Sequence, residues 1–375
     1  MATEVVNVFS VGDYQAEIRR AAQLLRDGSL VVLPTETVYG VAAVASHPEA
    51  VRKVRALRGG DPGKPLTIHL DRPESVRNYL FQPTPLAERL IRKLWPGPVA
   101  MSFEVSPDDR ATVCRKLEIR ESDVFDGNRI TLRCPNHTVA TDVLGEVNLP
   151  VVLSVAGGDA SAARQVDQFL PAIDGRVELV LDAGPTVYAK PSTILQVSSE
   201  GYSISRAGIY DERIIERLMR TTFLFVCSGN TCRSPMAEAI ARKLIADRLG
   251  VPPDQIESRG YSVLSAGSSA FPGGKATPEA AEAVKEFGAD LSRHRSRMLI
   301  PELINQADFI FTMSEAHRQA VIAHSPRVAD KVQKLDPERD IEDPIGGDQS
   351  LYRELASQLC QLISSRLDQV LPRQP

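Results

Sequence analysis

A cysteine and an arginine stand six residues apart, Cys227 and Arg233, with a short polar segment between them. A strand-like run, 223–226, precedes the cysteine, and an apolar helical pattern follows the arginine. A loop between a buried strand and a helix directs its backbone amides into one concavity, which binds phosphate because the amides and the helix dipole favour negative charge. The pattern predicts a phosphate-binding loop with a nucleophile at its base. The other loop residues are Ser228, Gly229, Asn230, Thr231, Cys232 and Ser234.

The side chains of this loop predict phosphoryl transfer to sulfur. Because the field of the loop favours a thiolate, we expect a lowered pKa for Cys227. Arg233 can bind two phosphoryl oxygens through its planar guanidinium, and Ser234 can donate a hydrogen bond to the sulfur. The expected reaction has two steps, formation of a cysteinyl-phosphate and its hydrolysis.

A carboxylate in front of a proline supplies the proton donor that the leaving group requires. Proline restricts the conformation of the residue before it, so Asp343, followed by Pro344, can be held in a fixed orientation. We assign Asp343 as general acid in the first step and as general base for the attacking water in the second.

Three further segments, 265–267, 274–278 and 307–313, occur in the order that one known family shows. With them, residues 222–372 resemble the low-molecular-weight phosphotyrosine phosphatases, and within that family the protein arginine phosphatases. The resemblance implies a small, doubly wound parallel sheet with helices on both faces, a phosphorylated protein as substrate, and no cofactor. Cys232 either forms a reversible disulfide with Cys227 or packs in the interior, and the residues leave both alternatives open.

Two positions bear on the choice between phosphoarginine and phosphotyrosine. The resemblance associates threonine at the position of Thr231 with phosphoarginine, whereas phosphotyrosine-specific relatives usually carry a larger aliphatic residue there. Ile345 stands where relatives usually carry an aromatic residue, which in phosphotyrosine-specific enzymes packs against a phenyl ring. An anionic Asp343 would also hold a cationic guanidinium leaving group. We therefore expect phosphoarginine to be favoured, through a difference of roughly 1–3 kcal/mol at one pocket contact.

The length of the chain predicts more than one domain. A chain of 375 residues exceeds one ordinary domain, and a hydrophobic content of 43% is enough for two cores. An amphipathic segment, 211–219, precedes the strand of the phosphate loop, so we place a linker at residues 209–221.

Charge, cysteines and hydropathy narrow the class of protein. The net charge of −4 excludes a strongly basic protein of the kind that binds nucleic acid through its overall charge. Neither the five cysteines nor the six histidines have metal-ligand spacing, so we expect reduced thiols and no protein-bound metal. No apolar run is long enough to span a bilayer, and the first residues lack the pattern of a secretory signal. We expect a cytoplasmic protein without membrane contact.

Residues 10–208 alternate helical and extended patterns. An amphipathic helix is predicted around 14–26 and a buried strand at 30–33, followed by a hydroxyl-rich turn at 34–40. A basic cluster on a helix is either a solvated face or a wall that binds phosphates or a carboxylate. The cluster here consists of Arg52, Lys53, Arg55, Arg58 and Lys64.

Six segments of this region follow the order of another family: 34–40, 65–70, 95–98, 133–137, 181–186 and 191–193. On them, residues 10–208 resemble the threonylcarbamoyl-AMP synthases of the YrdC/Sua5 type. The resemblance implies a twisted mixed α/β sheet around a positively lined cavity, with ATP, threonine and bicarbonate as substrates. It also implies Mg²⁺ to shield the phosphates, a role in a modified adenosine of tRNA, and tRNA or double-stranded RNA as a partner.

The same resemblance implies binding roles for eight residues. Those expected on the threonine and carbamoyl side are Thr35, Arg58, Thr67 and His69. Those expected on the nucleotide side are Arg133, Ser154, Ser192 and Arg206.

Two segments depart from the pattern of this second family. The usual Lys-x-Arg-Pro is replaced at 58–61, where arginine stands for the lysine and Gly60 for the arginine, and the usual Ser-Ala-Asn is replaced at 155–157. A guanidinium does not replace a compact ammonium, and a missing arginine leaves developing charge uncompensated. Two hypotheses follow: the domain still makes threonylcarbamoyl-adenylate, or it is a degenerate nucleotide- or RNA-binding module that positions or regulates the phosphatase.

Overall fold

The computed structural model describes residues 2–58, 63–159, 161, 163–188 and 190–371. The chain divides into two compact units between Ile215 and Glu216. This division lies inside a short helix, Glu212–Leu218, and within the predicted linker, whose bounds stay a prediction. Residues 59–61, which hold most of the first departure from the family pattern, lie outside the described residues, as does residue 372, the predicted end of the second domain.

The first unit is built on one mixed sheet. Its strands are β1 (Glu4–Asn7), β2 (Val31–Leu33), β3 (Gly40–Val44), β4 (Thr67–His69), β5 (Val99–Glu104), β6 (Phe125–Asp126), β7 (Arg129–Arg133), β8 (Val151–Val155), β9 (Leu179–Asp182), β10 (Thr193–Val197) and β11 (Tyr202–Arg206). They are ordered β1-β9-β2-β3-β8-β4-β7-β5-β10-β11, with β6 paired to β7. The β4–β7 pair is parallel and the β3–β8 pair antiparallel, which confirms the predicted mixed sheet.

Helices cover this sheet, and the first of them is the amphipathic helix predicted around 14–26. They are α1 (Tyr14–Arg26), α2 (Pro48–Arg58), α3 (Pro85–Leu94), α4 (Pro107–Leu117), α5 (Glu121–Val124), α6 (Thr138–Val147) and α7 (Val166–Ile173). The next helix, α8 (Glu212–Leu218), contains the division between the two units. The Asp13 side chain caps α1 by accepting a hydrogen bond from Ala16 N at 2.9 Å. Buried residues at helical spacing, among them Ile18 and Leu25, pack this helix into the same core as β2 and α6.

The second unit is built on a smaller sheet in which every strand pair is parallel. Its strands are β12 (Thr221–Cys227), β13 (Tyr261–Gly267), β14 (Phe309–Thr312) and β15 (Val332–Lys334), in the order β13-β12-β14-β15. Its helices are α9 (Arg233–Leu249), α10 (Pro278–Lys285), α11 (Pro301–Gln306), α12 (Glu315–His324) and α13 (Gln349–Val370). This is the predicted doubly wound fold.

Alternation along β12 explains why helices cover both faces of this sheet. Phe223, Phe225 and Cys227 belong to one core cluster, whereas Leu224 and Val226 belong to the other. The chain continues from β12 to β13 on one side, and β14 lies on the other, so the carboxyl end of β12 is a topological switch point. Ligands of such sheets bind at this point.

Among the residues described, no helix is both long and apolar enough to span a bilayer.

Candidate active sites

The loop after β12 connects directly to α9, as the spacing of Cys227 and Arg233 predicts. Asn230 has φ of 54°, in the left-handed region that asparagine tolerates better than most residues. The loop also lies close to the end of β13, because a Cβ added to Gly267 would be 2.4 Å from the Ser228 carbonyl oxygen. A glycine is therefore required at position 267 for the loop to take this course.

Cys227 lies at the base of this loop with 3% of its surface exposed. Its sulfur is 2.9 Å from Ser234 Oγ and accepts a hydrogen bond from Asn230 N at 3.3 Å. Burial nevertheless raises the pKa of the thiol above its ordinary value, although Ser234, Asn230 and the charge of Arg233 each lower it. The predicted net lowering of this pKa is therefore wrong, because desolvation of the thiolate outweighs the three favourable contacts.

Asn230 organises the loop through both ends of its side-chain amide. Nδ2 donates to Ser234 Oγ at 2.9 Å and to Ser265 Oγ at 2.8 Å, and Oδ1 accepts from Arg297 N at 2.8 Å. Ser265 in turn donates to Glu238 Oε2 at 2.6 Å. The sequence identified Asn230 only as a loop member and assigned no role to Ser265; the available signal was a hydroxyl residue two positions before a glycine in the segment 265–267.

Arg233 and Asp343 lie together although 110 positions separate them. The guanidinium donates from Nη2 to Asp343 Oδ2 and from Nη1 to the Ile341 carbonyl oxygen, the latter at 2.9 Å. Ile345 N donates to the other oxygen of Asp343 at 3.3 Å, which fixes the carboxylate as expected before a proline. The two groups assigned to charge stabilisation and proton transfer thus pair with each other.

His317 contacts the loop and was not identified from the sequence. Its Nε2 lies 2.8 Å from Ser228 Oγ and its Nδ1 lies 2.7 Å from Ser314 Oγ. Burial, and next the charge of Arg233, lower the pKa of His317 from its ordinary value. A neutral imidazole between two hydroxyls therefore orients Ser228.

The surroundings of the loop contain an aromatic residue that the sequence analysis did not consider. Phe271 is 90% exposed and stands four positions after Gly267. Ile345, at the position compared with aromatic residues of relatives, is 70% exposed.

Cys232 is a free thiol that packs against the Tyr352 hydroxyl at 3.5 Å.

The residues predicted for the first unit line one cavity of about 230 Å³. They come from separate strands and turns whose ends meet at this place in the mixed sheet, and all eight are present: Thr35, Arg58, Thr67, His69, Arg133, Ser154, Ser192 and Arg206. Of the basic cluster on α2, Arg58 alone lines the cavity among the described residues. Arg52 pairs with Glu49 at 2.8 Å instead, on the solvated face of the helix.

The electrostatics of this cavity favour anions. Burial, together with the charges of Arg133 and Arg58, lowers the pKa of Arg206, whose guanidinium donates to the Ser192 hydroxyl at 3.1 Å. Burial and the charge of Arg133 lower the pKa of His69 to about 3, so the imidazole is neutral. Three guanidinium groups at one cavity repel one another, and a bound anion removes that repulsion.

Glu36 lies behind this cavity and was missed by the sequence analysis. It is buried, and its Oε1 is 2.9 Å from Arg133 Nη2, which also donates to Thr37 Oγ1 at 2.9 Å. The described lining residues of the cavity include no carboxylate, so the cavity itself offers no carboxylate ligand to a Mg²⁺ ion.

The second departure from the family pattern is visible at the cavity rim. Gly157 has φ of 71°, a conformation that asparagine also adopts, so the glycine keeps the backbone course and removes only a side-chain amide. A Cβ at this position would lie 3.3 Å from Phe169 Cβ, which is a close contact.

Two family models match the chain. The Sua5/YciO/YrdC model, described as Telomere recombination, matches residues 23–208, and the model for low molecular weight phosphotyrosine protein phosphatase matches residues 222–373. The protein-arginine-phosphatase of Bacillus subtilis (strain 168) is 40% identical over 145 residues, which are 37% of this chain and 90% of that protein.

The first unit has its own relatives. The threonylcarbamoyl-AMP synthase of Bacillus subtilis (strain 168) is 27% identical over 218 residues, and the match covers 58% of this chain and 60% of that protein. The chain thus spans less than two thirds of the length of this relative. A solved structure of Sua5 from P. abyssi, 20% identical, shares the fold with a TM-score of 0.50 over 70% of this chain and 90% of that one. The chain therefore belongs to two families, joining a Sua5/YrdC-type domain to a domain of the low-molecular-weight protein phosphatases.

Proposed function

We propose that the second unit is a cysteine-dependent protein phosphatase that acts on phosphoarginine in preference to phosphotyrosine, and that the first unit binds ATP and threonine. The observation that carries the first part is the burial of the Cys227 sulfur against Ser234 Oγ at 2.9 Å, beneath a loop flanked by Arg233 and Asp343. A phosphatase of this kind needs a nucleophile, a phosphate-binding group and a proton donor at one place.

In the first step the Cys227 thiolate attacks phosphorus, and the bond from phosphorus to the leaving nitrogen or oxygen breaks. The bound phosphoryl group competes with Asp343 for Arg233, so the guanidinium turns to the phosphoryl oxygens and the carboxyl group is released to face the leaving group. The thiol proton of Cys227 passes to the released carboxylate of Asp343 as the thiolate forms, and Asp343 then donates that proton to the leaving group. Because burial raises the pKa of Cys227, formation of the thiolate depends on the positive charge of Arg233, which lowers this pKa and is freed when Arg233 leaves Asp343.

In the second step Asp343, now ionised, accepts a proton from water as the water attacks the cysteinyl-phosphate. The phosphorus–sulfur bond breaks and leaves a thiolate. Ser234 stabilises that thiolate by donating a hydrogen bond from Oγ.

Three observations support phosphoarginine as the preferred substrate. Thr231 is a short polar residue in the loop, Ile345 offers no ring for stacking, and the carboxylate of Asp343 suits a guanidinium leaving group. The exposed ring of Phe271 is the feature that would instead favour a phenyl group.

Kinetics on matched peptides test this assignment. We expect wild-type protein to give the higher kcat/KM on phosphoarginine, and Thr231→Ile to lose that preference by roughly tenfold, as one pocket contact allows. Cys227→Ser should release no phosphate from either peptide. A clear preference of the wild type for phosphotyrosine would overturn the assignment, and loss of that preference in Phe271→Ala would attribute it to the exposed ring.

For the first unit we propose synthesis of threonylcarbamoyl-adenylate from ATP, threonine and bicarbonate, for a modified adenosine in tRNA. The convergence of eight expected residues, three of them arginines, on one cavity supports it. A carboxylate, bicarbonate and a triphosphate repel one another, and a positively lined cavity holds them together.

A second candidate is a nucleotide- or RNA-binding module that positions or regulates the phosphatase, favoured by the missing side chain at Gly157. Exchange of labelled pyrophosphate into ATP, with threonine and bicarbonate present, separates the candidates. Exchange supports the synthase, whereas ATP binding without exchange supports the module. Because the five cysteines are free thiols, we place both functions in the cytoplasm.

A further inference from the structure

Two segments that are hydrogen-bonded to the phosphate loop carry basic side chains that the proposed chemistry does not use. We name Lys275, Arg293, Arg295 and Arg297 the basic rim. Lys275, Arg293 and Arg295 are exposed and Arg297 is half-buried. Among the described residues, none of the four forms an ion pair with a carboxylate. Hydrogen bonds from Ser292, and next the charge of Arg293, lower the pKa of Asp290, whose carboxylate accepts from the Ser292 hydroxyl at 2.7 Å.

The segment that carries Lys275 is attached to the phosphate loop at both ends. Ser268 N donates to the Cys227 carbonyl oxygen at 2.9 Å, and Thr277 N donates to the Thr231 carbonyl oxygen at 3.0 Å. Lys275 therefore lies in a short loop that begins and ends at the nucleophile's own loop.

The segment that carries the three arginines is attached through Asn230. His294 Nε2 donates to the Asn230 carbonyl oxygen at 2.9 Å, and Arg297 N donates to Asn230 Oδ1 at 2.8 Å. His294 and Ser296 are buried, and in an extended segment alternate side chains face opposite sides, so Arg293 and Arg295 face solvent.

The local charge differs sharply from that of the whole chain. The chain has a net charge of −4, yet neither 268–277 nor 291–300 contains an aspartate or glutamate. Exposed cations that form no ion pair and lie beside a binding site attract and orient an oppositely charged ligand.

We infer that the basic rim binds an acidic stretch of the phosphorylated protein, next to the residue that carries the phosphate. This inference rests on the proposed phosphatase function and names the class of its substrate. The added affinity for the substrate comes from several solvent-exposed ion pairs, each of modest strength. It therefore lowers mainly KM and weakens as salt screens the charges.

Paired peptides test the inference. Two phosphoarginine peptides of equal length would carry glutamates or glutamines around the phosphorylated residue, with the same pair made with phosphotyrosine as a second set. At low ionic strength we expect the glutamate peptide to have a kcat/KM about tenfold higher, through KM, with the ratio falling as salt is added. In Lys275→Gln/Arg293→Gln/Arg295→Gln the ratio should approach one.

Arg259→Gln is the matched control, because Arg259 is an exposed arginine before the amino-terminal end of β13, at the sheet edge opposite the loop. It should retain the wild-type ratio. Hydrolysis of p-nitrophenyl phosphate reports folding of each variant. If the triple variant does not fold, the salt dependence of the wild-type ratio decides the question.

Equal kcat/KM for the two peptides at low salt, or a ratio that the triple variant leaves unchanged, would overturn the inference. Inhibition by tRNA but not by an unphosphorylated acidic peptide would assign the rim to nucleic acid and overturn it as well. If no phosphopeptide of either set is turned over by the wild type, the proposed function itself fails.

Discussion

At Cys227, opposing effects act on one sulfur atom. Burial raises the pKa of the thiol, and the Ser234 hydroxyl, the Asn230 amide and Arg233 lower it. A buried nucleophile excludes water from the cysteinyl-phosphate, and the cost of that burial is partly offset by hydrogen bonds that are strongest when the sulfur is charged.

Removal of one of these hydrogen bonds gives a first prediction. Ser234→Ala should lower kcat roughly ten- to hundredfold, because a hydrogen bond to a charged group contributes about 1.5–3 kcal/mol. Breakdown of the cysteinyl-phosphate should slow most, so rapid mixing should show a burst of released leaving group. The rising limb of kcat/KM should also move to higher pH, since Ser234 lowers the pKa of Cys227.

Ser268→Ala serves as the control for this prediction, because its hydroxyl contacts the Cys227 carbonyl oxygen at 3.5 Å and not the sulfur. An unshifted pH profile in Ser234→Ala would show that this hydroxyl does not act on the thiolate.

His69 gives a prediction about pH and stability. Its pKa is about 3 in the folded protein and 6.5 as the ordinary value, so the unfolded chain binds the proton more readily. Stability conferred by the neutral imidazole is present above pH 6.5 and is lost as pH falls. Between pH 7 and 5 the free energy of unfolding should drop by about 2 kcal/mol through this group.

Denaturation followed by the fluorescence of Trp95, the single tryptophan and a residue of the first unit, measures this loss. Carboxylates also titrate in this range, so the informative quantity is the difference from His69→Gln, which should lose about 2 kcal/mol less between the two pH values. Equal losses in the two proteins would contradict the assigned pKa.

At the scale of elements, the site depends on how closely the phosphate loop approaches β13. The strand ends at Gly267, whose amide and carbonyl both bond to the segment of Arg297 and Leu299, while Ser228 passes over its Cα. Strand end, loop and arginine segment are therefore joined by backbone hydrogen bonds, and a displacement of one element displaces the others.

Gly267→Ala tests this close approach. The added Cβ would meet the Ser228 carbonyl oxygen at 2.4 Å and Asn230 N at 3.0 Å, so the loop must shift. A displacement of this size should reduce kcat/KM about hundredfold, while the unit remains folded. Gly229→Ala, where the nearest atom is Thr231 Oγ1 at 3.5 Å, should lose far less activity. Phosphatase assays with circular dichroism as a check of folding distinguish the two, and equal losses would refute the steric argument.

At the scale of the whole molecule, two units with separate cores carry two sites of different chemistry. The described core clusters of the two units share no residue. Each site contains groups that suit anions, backbone amides and an arginine in one and three arginines around a cavity in the other. Separate cores allow each unit to be stabilised by its own ligand.

This leads to a prediction about unfolding. Inorganic phosphate should raise the denaturation midpoint measured by phosphatase activity, whereas ATP with threonine should raise the midpoint measured by Trp95 fluorescence. At a hundred times its Kd, each ligand should add about 2.7 kcal/mol to the free energy of unfolding of the unit that binds it. Neither ligand should move the other midpoint. A shift of both transitions by either ligand would show that the units unfold as one.

The sequence alone determined the parts of this protein that depend on neighbouring residues. The run before Cys227, the spacing to Arg233 and the periodicity of 14–26 specify a strand, a loop and helices, because backbone geometry repeats over a few residues. Two ordered sets of motifs likewise indicated both fold families, and the eight cavity residues could be named before their positions were known.

Only the tertiary structure decided which distant groups meet. The pairing of Arg233 with Asp343, the bonds from Asn230 to Ser265 and Arg297, and the burial that raises the pKa of Cys227 involve segments far apart in the chain. The physical reason is that local periodicity carries no information on register between distant segments. Desolvation likewise depends on every element packed around an atom, so burial raises the pKa of a thiol for which the loop alone predicted a lowered pKa.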